Sequence, residues 1–495
     1  MSQRLLLAID QGTSSSRAVI YDQSVNVIGG AQQEFPQVYP QPGWVEHDPE
    51  AIWESVQNVT RQVMQELSTS ASDIAAIGVT NQRETTLIWD RETGQCVHNA
   101  IVWQDRRTAS MCERLKSDGA ETIVIKKTGL RLDPYFSATK VAWMLENVQG
   151  VRARALAGKL AFGTVDCFLL WRLTGGRVHA TDASNASRTL LFNIHTQSWD
   201  EELLKLFDIP RELLPDVHDC AANFGETENA MFGGAIPVLG IAGDQQSALL
   251  GQAGVEKGVT KGTYGTGCFV ITNTASDALE SRNKLLTTVA SRINGKVSYG
   301  LEGSIFVAGS AMQWLRDELQ VIDSVPQSEH IAQSTGIVDD VHVVPAFAGL
   351  GAPHWDPHAR GAILGLSRGS GRNEIVTATL QAVAFQTRDL IDTMADDGIV
   401  PSTIRVDGGM VANNWFLQFL ADILGIPVER PVNVESTVLG AAFLAGLQCG
   451  IVESVEQLAG LWQRDSLFEP SMSSDRQEQL MTGWAAAVAR VRQGD

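Results

Sequence analysis

Short apolar runs that end in a polar or glycine-rich tip alternate along this chain with stretches of helical period. The run from Arg4 to Ile9 ends in Asp10. Gln11-Gly12-Thr13-Ser14-Ser15-Ser16-Arg17 follows, then Ala18 to Tyr21, which reads as strand, turn, strand. Val259 to Thr272 repeats the design around Gly262-Thr263-Tyr264-Gly265-Thr266-Gly267. Two like hairpins, one in each half, predict duplicated or pseudo-symmetric domains that each lend a loop to one site. Asp48-Pro49-Glu50 opens a helix with a cap residue, a first-position proline and an acid, and Ile52, Val56, Val59, Val63 and Leu67 give its buried face. Ala75 to Thr80 and Thr85 to Trp89 read as strands flanking Asn81-Gln82-Arg83-Glu84, and a further helix is expected from near Asp105. Strands near Leu285–Ala290 and Val297–Leu301 precede a helix expected from about Ile305 to Leu319. Asn373 to Ala395, Ser436 to Leu447 and about Ser474 to Arg492 complete the helices, and the small-residue-rich Ser436–Leu447 stretch is expected against a nucleotide-side wall. The alternation predicts a mixed α/β architecture.

At 495 residues the chain is long enough for two or more domains, and 44% hydrophobic with 19% charged residues is a globular composition. A formal charge of −19 argues against a general nucleic-acid or anionic-membrane surface, so any anionic ligand needs local donors and a metal ion. The six cysteines (96, 112, 167, 220, 268 and 449) form no C-x-x-C pair, and no stretch reaches the roughly 20 apolar residues of a membrane span. The N-terminal apolar run is too short for a signal peptide, and a soluble cytoplasmic protein is expected.

Certain tips carry candidate chemistry. Leu239 to Gly243 ends in Asp244, a general-base candidate at a strand end, and the glycines and threonines of 262–267 make a phosphate cradle of converging N–H groups. A plain hairpin beside a helix-capping carboxylate satisfies the same letters. Arg83-Glu84 is either a surface ion pair or a fork of donors and acceptors for a polyol, and Trp103 and Tyr135 are either core aromatics or ligand contacts. Gly309 and Gln313 share one helix face, and a glycine there implies close approach of another group. Pro345 to Pro357 is a long loop of the kind that serves function or an interface. Asp407-Gly408-Gly409, with Asn413 and Asn414 early in the next helix, could seat a nucleotide. No Walker motif, no G-x-G-x-x-G after the first strand, no protein-kinase set and no H-E-x-x-H is present.

Taken together, several stretches resemble the FGGY carbohydrate kinases. They include Asp10 to Arg17, Pro42 to Asp48, Thr80 to Thr86, Asp133 to Ser137, Asn185 to Arg188, Gly243 to Gln246, Thr263 to Phe269, Gly349 to Pro353 and Asp407 to Gly409, and Tyr135 to Asn147 is similar to the family signature. The resemblance implies a two-domain actin/sugar-kinase ATPase-like fold with ribonuclease H-like cores, divided as 1–250 and 251–495, with the active site in the cleft. It implies transfer of the ATP γ-phosphoryl group to glycerol with Mg²⁺. Arg83, Glu84, Trp103, Tyr135, Asp244, Gln245 and Phe269 would then line the polyol pocket, with Asp244 as base. Thr13, Ser14, Ser15, Arg17 and Thr266 would meet the phosphates, while Gly309, Gln313, Gly409 and Asn413 would hold the adenosine end. Asp10 would sit near Mg²⁺. Family members are often homodimers or homotetramers. The stretch Glu226–Ala235 lacks the basic residue with which some members bind a sugar bisphosphate. A kinase for erythritol or xylulose, and a non-catalytic actin-like ATPase-fold module, are the competing readings.

Overall fold

The computed structural model describes residues 4–347, 349–356 and 358–492. Ala348 and Pro357, both in the 345–357 loop, lie outside the described residues.

Two mixed sheets organise the chain. The first contains β1 (Leu5–Gln11), β2 (Ser15–Tyr21), β3 (Val27–Glu34), β4 (Ile74–Asn81) and β5 (Val238–Gly243), in the order β5-β4-β1-β2-β3. The first three strands form an antiparallel meander, while β4 and β5 add in parallel beside β1. The second contains β6 (Thr260–Tyr264), β7 (Cys268–Ala275), β8 (Leu286–Ile293), β9 (Lys296–Ile305), β10 (Ile404–Asp407), β11 (Val428–Pro431) and β12 (Arg464–Phe468). Its order is β8-β9-β7-β6-β10-β11-β12. The run β9-β7-β6-β10-β11 repeats the pairing plan of the first sheet, three antiparallel strands followed by two parallel ones, with β8 inserted in sequence between β7 and β9. The duplication expected from the two hairpins is therefore present as topology. Parallel strands are joined through helices, and their C-terminal ends leave a crevice that loops can line.

Helix α1 (Pro49–Glu66) begins as its sequence dictates, with the Asp48 carboxylate accepting from Glu50 N at 2.9 Å and Pro49 in the first turn. Ile52, Val56, Val59 and Val63 are buried along one face. Further helices are α2 (Ser137–Asn147), α3 (Asp244–Gly251), α4 (Gly309–Asp317), α5 (Arg372–Asp396), α6 (Asn414–Leu424), α7 (Ser436–Cys449) and α8 (Ser474–Val491).

Three expectations are corrected. The stretch from Ile305 is not yet helix: β9 continues through Ile305 in register with Cys268, and α4 starts only at Gly309. The helix expected near Asp105 starts at Ala109, because the Asp105 carboxylate is occupied by Val45 N at 2.7 Å and by Arg107. The small residues of α7 face the first sheet and α3 rather than the Asp407 wall: Ala441, Ala442 and Ala445 share a core cluster with Leu6, Ala8 and Ala76. A Cβ on Gly78 would lie 2.0 Å from the Ala441 carbonyl oxygen, and one on Gly440 would lie 1.9 Å from that of Ser247. Only glycine lets these backbones meet, so α7 is locked across both halves.

Candidate active site

Asp244 is the first residue of α3, directly after β5, so the end of a buried parallel strand aims its carboxylate into the crevice. Its Oδ1 accepts from Gln245 N at 2.6 Å and faces Arg83 Nε at 3.0 Å. Among the described residues nothing donates to Oδ2. The side chain keeps 29% of its surface accessible and lines a cavity of about 160 Å³. Burial raises its proton affinity, opposed by the charges of Arg83 and Lys261.

That cavity gathers Thr13, Ser14, Arg83, Glu84, Trp103, Tyr135, Asp244, Gln245, Thr266 and Phe269 from segments across both halves. Trp103 packs edge-on against Tyr135 and Phe269, with ring centroids 5.7 and 6.0 Å apart, and its Nε1 donates to Thr13 Oγ1 at 2.9 Å. Tyr135 is buried in the core and also places its hydroxyl 3.4 Å from Arg83 Nη2. Glu84 sits at φ 60°, and its carbonyl accepts from Ser137 Oγ at 2.9 Å and Thr86 Oγ1 at 2.8 Å, which holds this conformation.

Arg83 and Glu84 are not each other's main partners. Their nearest charged atoms are 3.8 Å apart, whereas Arg83 Nη1 and Nη2 reach Glu302 on β9 at 2.6 and 3.1 Å. Arg188 donates to Glu84 at 2.7 Å and to Glu302 at 3.0 Å. Burial alone would raise the Glu302 carboxyl, but the Arg188 and Arg83 guanidiniums outweigh it and hold it down at about 2. Arg83, Arg188 and Lys261 thus balance the buried Glu84 and Glu302 and the cavity-facing Asp244. Glu302, Lys261 and Arg188 were not assigned from sequence. The available signal was a charge inside an otherwise buried strand, as in Leu301-Glu302-Gly303 and Thr260-Lys261-Gly262.

The β6–β7 turn carries the second chemical element. The carbonyls of Gly265 and Thr266 accept from Gly309 N and Ala308 N, both at 2.9 Å, and so face the start of α4. In trans peptides the following N–H groups, those of Thr266 and Gly267, point the opposite way. They have no acceptor among the described residues, and both residues line the cavity. Adjacent N–H groups without an acceptor are the donor pattern that an anion can occupy. Gly309 is needed for the fit, since a Cβ there would stand 2.6 Å from the Gly265 oxygen. Overpacking of this kind costs about 1–3 kcal/mol. Gly309→Ala is therefore expected to weaken ATP binding roughly tenfold, read by nucleotide titration; unchanged affinity would mean the turn does not contact the phosphates.

Not every candidate reaches the cavity. Ser15 Oγ accepts from Gln32 Nε2 at 2.9 Å, and Arg17 pairs with Glu435 and donates to Gln32 at 2.8 Å. Gly409 and Asn413 line a separate cavity of about 80 Å³ with Met312 and Pro326. Asn413 caps α6 by accepting from Phe416 N at 2.9 Å, and Gln313 is exposed on α4. Another cavity, of about 980 Å³ around Trp53 and Arg172, is lined by none of these groups.

Asp10, in β1 opposite Arg17, has no hydrogen-bond donor on its carboxylate among the described residues. Burial pushes it up to about 7, against Arg17 and with help from Asp244. A carboxylate raised by burial and by the charge of Asp244 is one that a nearby cation would stabilise in its ionised form. Among the described residues no group of three His, Cys, Asp or Glu could hold a metal. Mg²⁺ binds through one or two carboxylates, waters and phosphate oxygens.

Residues 5–251 match the N-terminal domain of the FGGY family of carbohydrate kinases and residues 260–449 its C-terminal domain. The chain is 60% identical over 490 residues to a glycerol kinase of Ectopseudomonas mendocina, covering 99% of each. It is 58% identical over 487 residues to glycerol kinase 1 of Pseudomonas aeruginosa, covering 98% of this chain and 99% of that protein. The crystal structure of Plasmodium falciparum glycerol kinase with ADP superposes with a TM-score of 0.90 at 36% identity, covering 99% and 98%. A xylulose kinase from Lactobacillus acidophilus shares the fold, with a TM-score of 0.87 at 21% identity over 98% of each chain.

Proposed function

The chain belongs to the FGGY family of carbohydrate kinases, and from that premise we propose that it transfers the γ-phosphoryl group of ATP to the sn-3 hydroxyl of glycerol. The products are sn-glycerol 3-phosphate and ADP. The observation that carries this reading is one small cavity holding both an unbonded carboxylate oxygen, Asp244 Oδ2, and the two free N–H groups of the β6–β7 turn. A proton acceptor beside an anion nest is what an attacking hydroxyl and a terminal phosphoryl group need.

In this reading Asp244 Oδ2 takes the proton of the attacking hydroxyl while Arg83 and the Gln245 N–H hold Oδ1 still. Arg83 and Glu84 orient the other hydroxyls, and Trp103 and Phe269 cover the carbon chain. Thr13, Ser14 and Thr266 meet the phosphates, with Ser15 and Arg17 further along β2. Gly309 shapes the β6–β7 turn, and Gly409, Asn413 and Gln313 form the adenosine side. Magnesium, with Asp10 nearby, would neutralise phosphate charge. The lining comes from 1–250 and 251–495, the two domains we assign, so closure of the crevice excludes water from the transfer. Dependence on ATP suits the cytoplasm.

Trp103 and Phe269 narrow the cavity, which favours a three-carbon polyol over a pentulose. Discrimination rests on hydrogen bonds that a wrong substrate leaves unmade. Initial rates with Mg-ATP on glycerol, dihydroxyacetone, erythritol and xylulose test this. Glycerol is expected to give the highest kcat/KM, and a clear preference for xylulose would overturn the assignment.

A further inference from the structure

Lys261 on β6 is wholly buried, one residue from the turn strand's glycine and two from Thr263. Its Nζ donates to Gln245 Oε1 and, at 2.6 Å, to Thr263 Oγ1. Both partners line the cavity. An ammonium offers three N–H groups and no lone pair, so whatever faces it must accept. The Gln245 amide can therefore stand in only one of its two orientations, with Oε1 toward Lys261 and Nε2 away from it. Among the described residues Nε2 meets no acceptor. Thr263 Oγ1 likewise accepts a hydrogen bond from the ammonium, which leaves its own O–H to point elsewhere.

We propose that Lys261 is a positioning residue for both substrates, fixing the Gln245 amide with its N–H groups toward the polyol and the Thr263 hydroxyl with its proton toward the incoming phosphoryl group. One buried cation thereby sets the donor pattern on the two sides of the transfer. The inference depends on the glycerol-phosphorylating reading of the cavity. Turnover of glycerol by the unsubstituted enzyme tests that reading separately, and an enzyme inert on glycerol would defeat it whatever the variants do.

The test is steady-state kinetics of the full chain with varied glycerol and varied Mg-ATP. Lys261→Met removes both the donor and the charge, and both a rise in KM for glycerol and a fall in kcat on the order of tenfold are expected. Lys261→Gln keeps one N–H donor for Gln245 Oε1 without the charge. It should return the KM for glycerol close to that of the unsubstituted enzyme while kcat stays low. A Lys261→Met enzyme within about twofold of the original in both constants would overturn the proposal. So would equal losses in both variants, which packing alone explains. If neither variant folds, Thr263→Val decides: a kcat loss on the order of tenfold with unchanged thermal melting supports the orientation, and an unchanged kcat refutes it.

Discussion

Asp244→Asn is expected to lower kcat for glycerol phosphorylation by roughly 10²–10⁴-fold while leaving ATP binding intact. The substitution is nearly isosteric, and an amide oxygen still accepts the Gln245 N–H that now reaches Oδ1 at 2.6 Å. What is lost is the acceptor at Oδ2, the only atom of this side chain without a partner among the described residues. The geometry also fixes the sign of the pH dependence. A base works unprotonated, and burial raises the Asp244 proton affinity above the ordinary 3.8. Activity of the unsubstituted enzyme should therefore rise with pH through a limb displaced upward from 3.8, and that limb should be missing from the residual rate of the asparagine variant. Single-turnover rates and nucleotide titration across pH separate the two effects. Near-normal turnover in the variant would remove Asp244 from the chemistry.

The parts of this fold that were legible in the sequence are those decided over a few residues. The Asp48-Pro49-Glu50 start of α1 carries its own cap, and the two hairpins announce themselves because glycine and hydroxyl residues interrupt apolar runs at like positions. Each hairpin fixes one neighbouring pair, and the rest of the strand order depends on longer connections. What stayed ambiguous was settled by partners far along the chain. Arg83-Glu84 read equally as a surface pair or a polyol fork because Glu302, which claims Arg83, is 219 residues away. Tyr135 read as either core or ligand contact because its ring is buried while its hydroxyl stands beside Arg83 in the cavity lining. The destination of α7 was missed because small residues say that something comes close without saying what. Local pattern likewise shows that Lys261 is a charge in a strand, but not that Gln245 and Thr263 converge on it.

The seam between the halves should be most sensitive at Glu302. This carboxylate is fully buried on β9 and takes two bonds from Arg83, at 2.6 and 3.1 Å, and a third from Arg188 at 3.0 Å. Glu302→Gln keeps the shape but leaves two guanidiniums in a dry site with one compensating charge fewer. Breaking one side of a buried ion cluster costs about 3–5 kcal/mol. For halves of this size that lowers the melting temperature on the order of 10 °C. The pH dependence distinguishes lost charge from lost packing. The folded-state value of Glu302 is about 2 against an ordinary 4.5, so its contribution is present above 4.5 and fades as pH falls toward 2. The gap between the original and variant enzymes should accordingly narrow as pH is lowered from 4.5 toward 2, whereas a packing defect would leave it constant. Arg83, freed from Glu302, would also swing from the polyol side of the cavity and raise the KM for glycerol. Equal melting temperatures at neutral pH, or a gap that does not change with pH, would mean that the charge on Glu302 is not what joins the two halves.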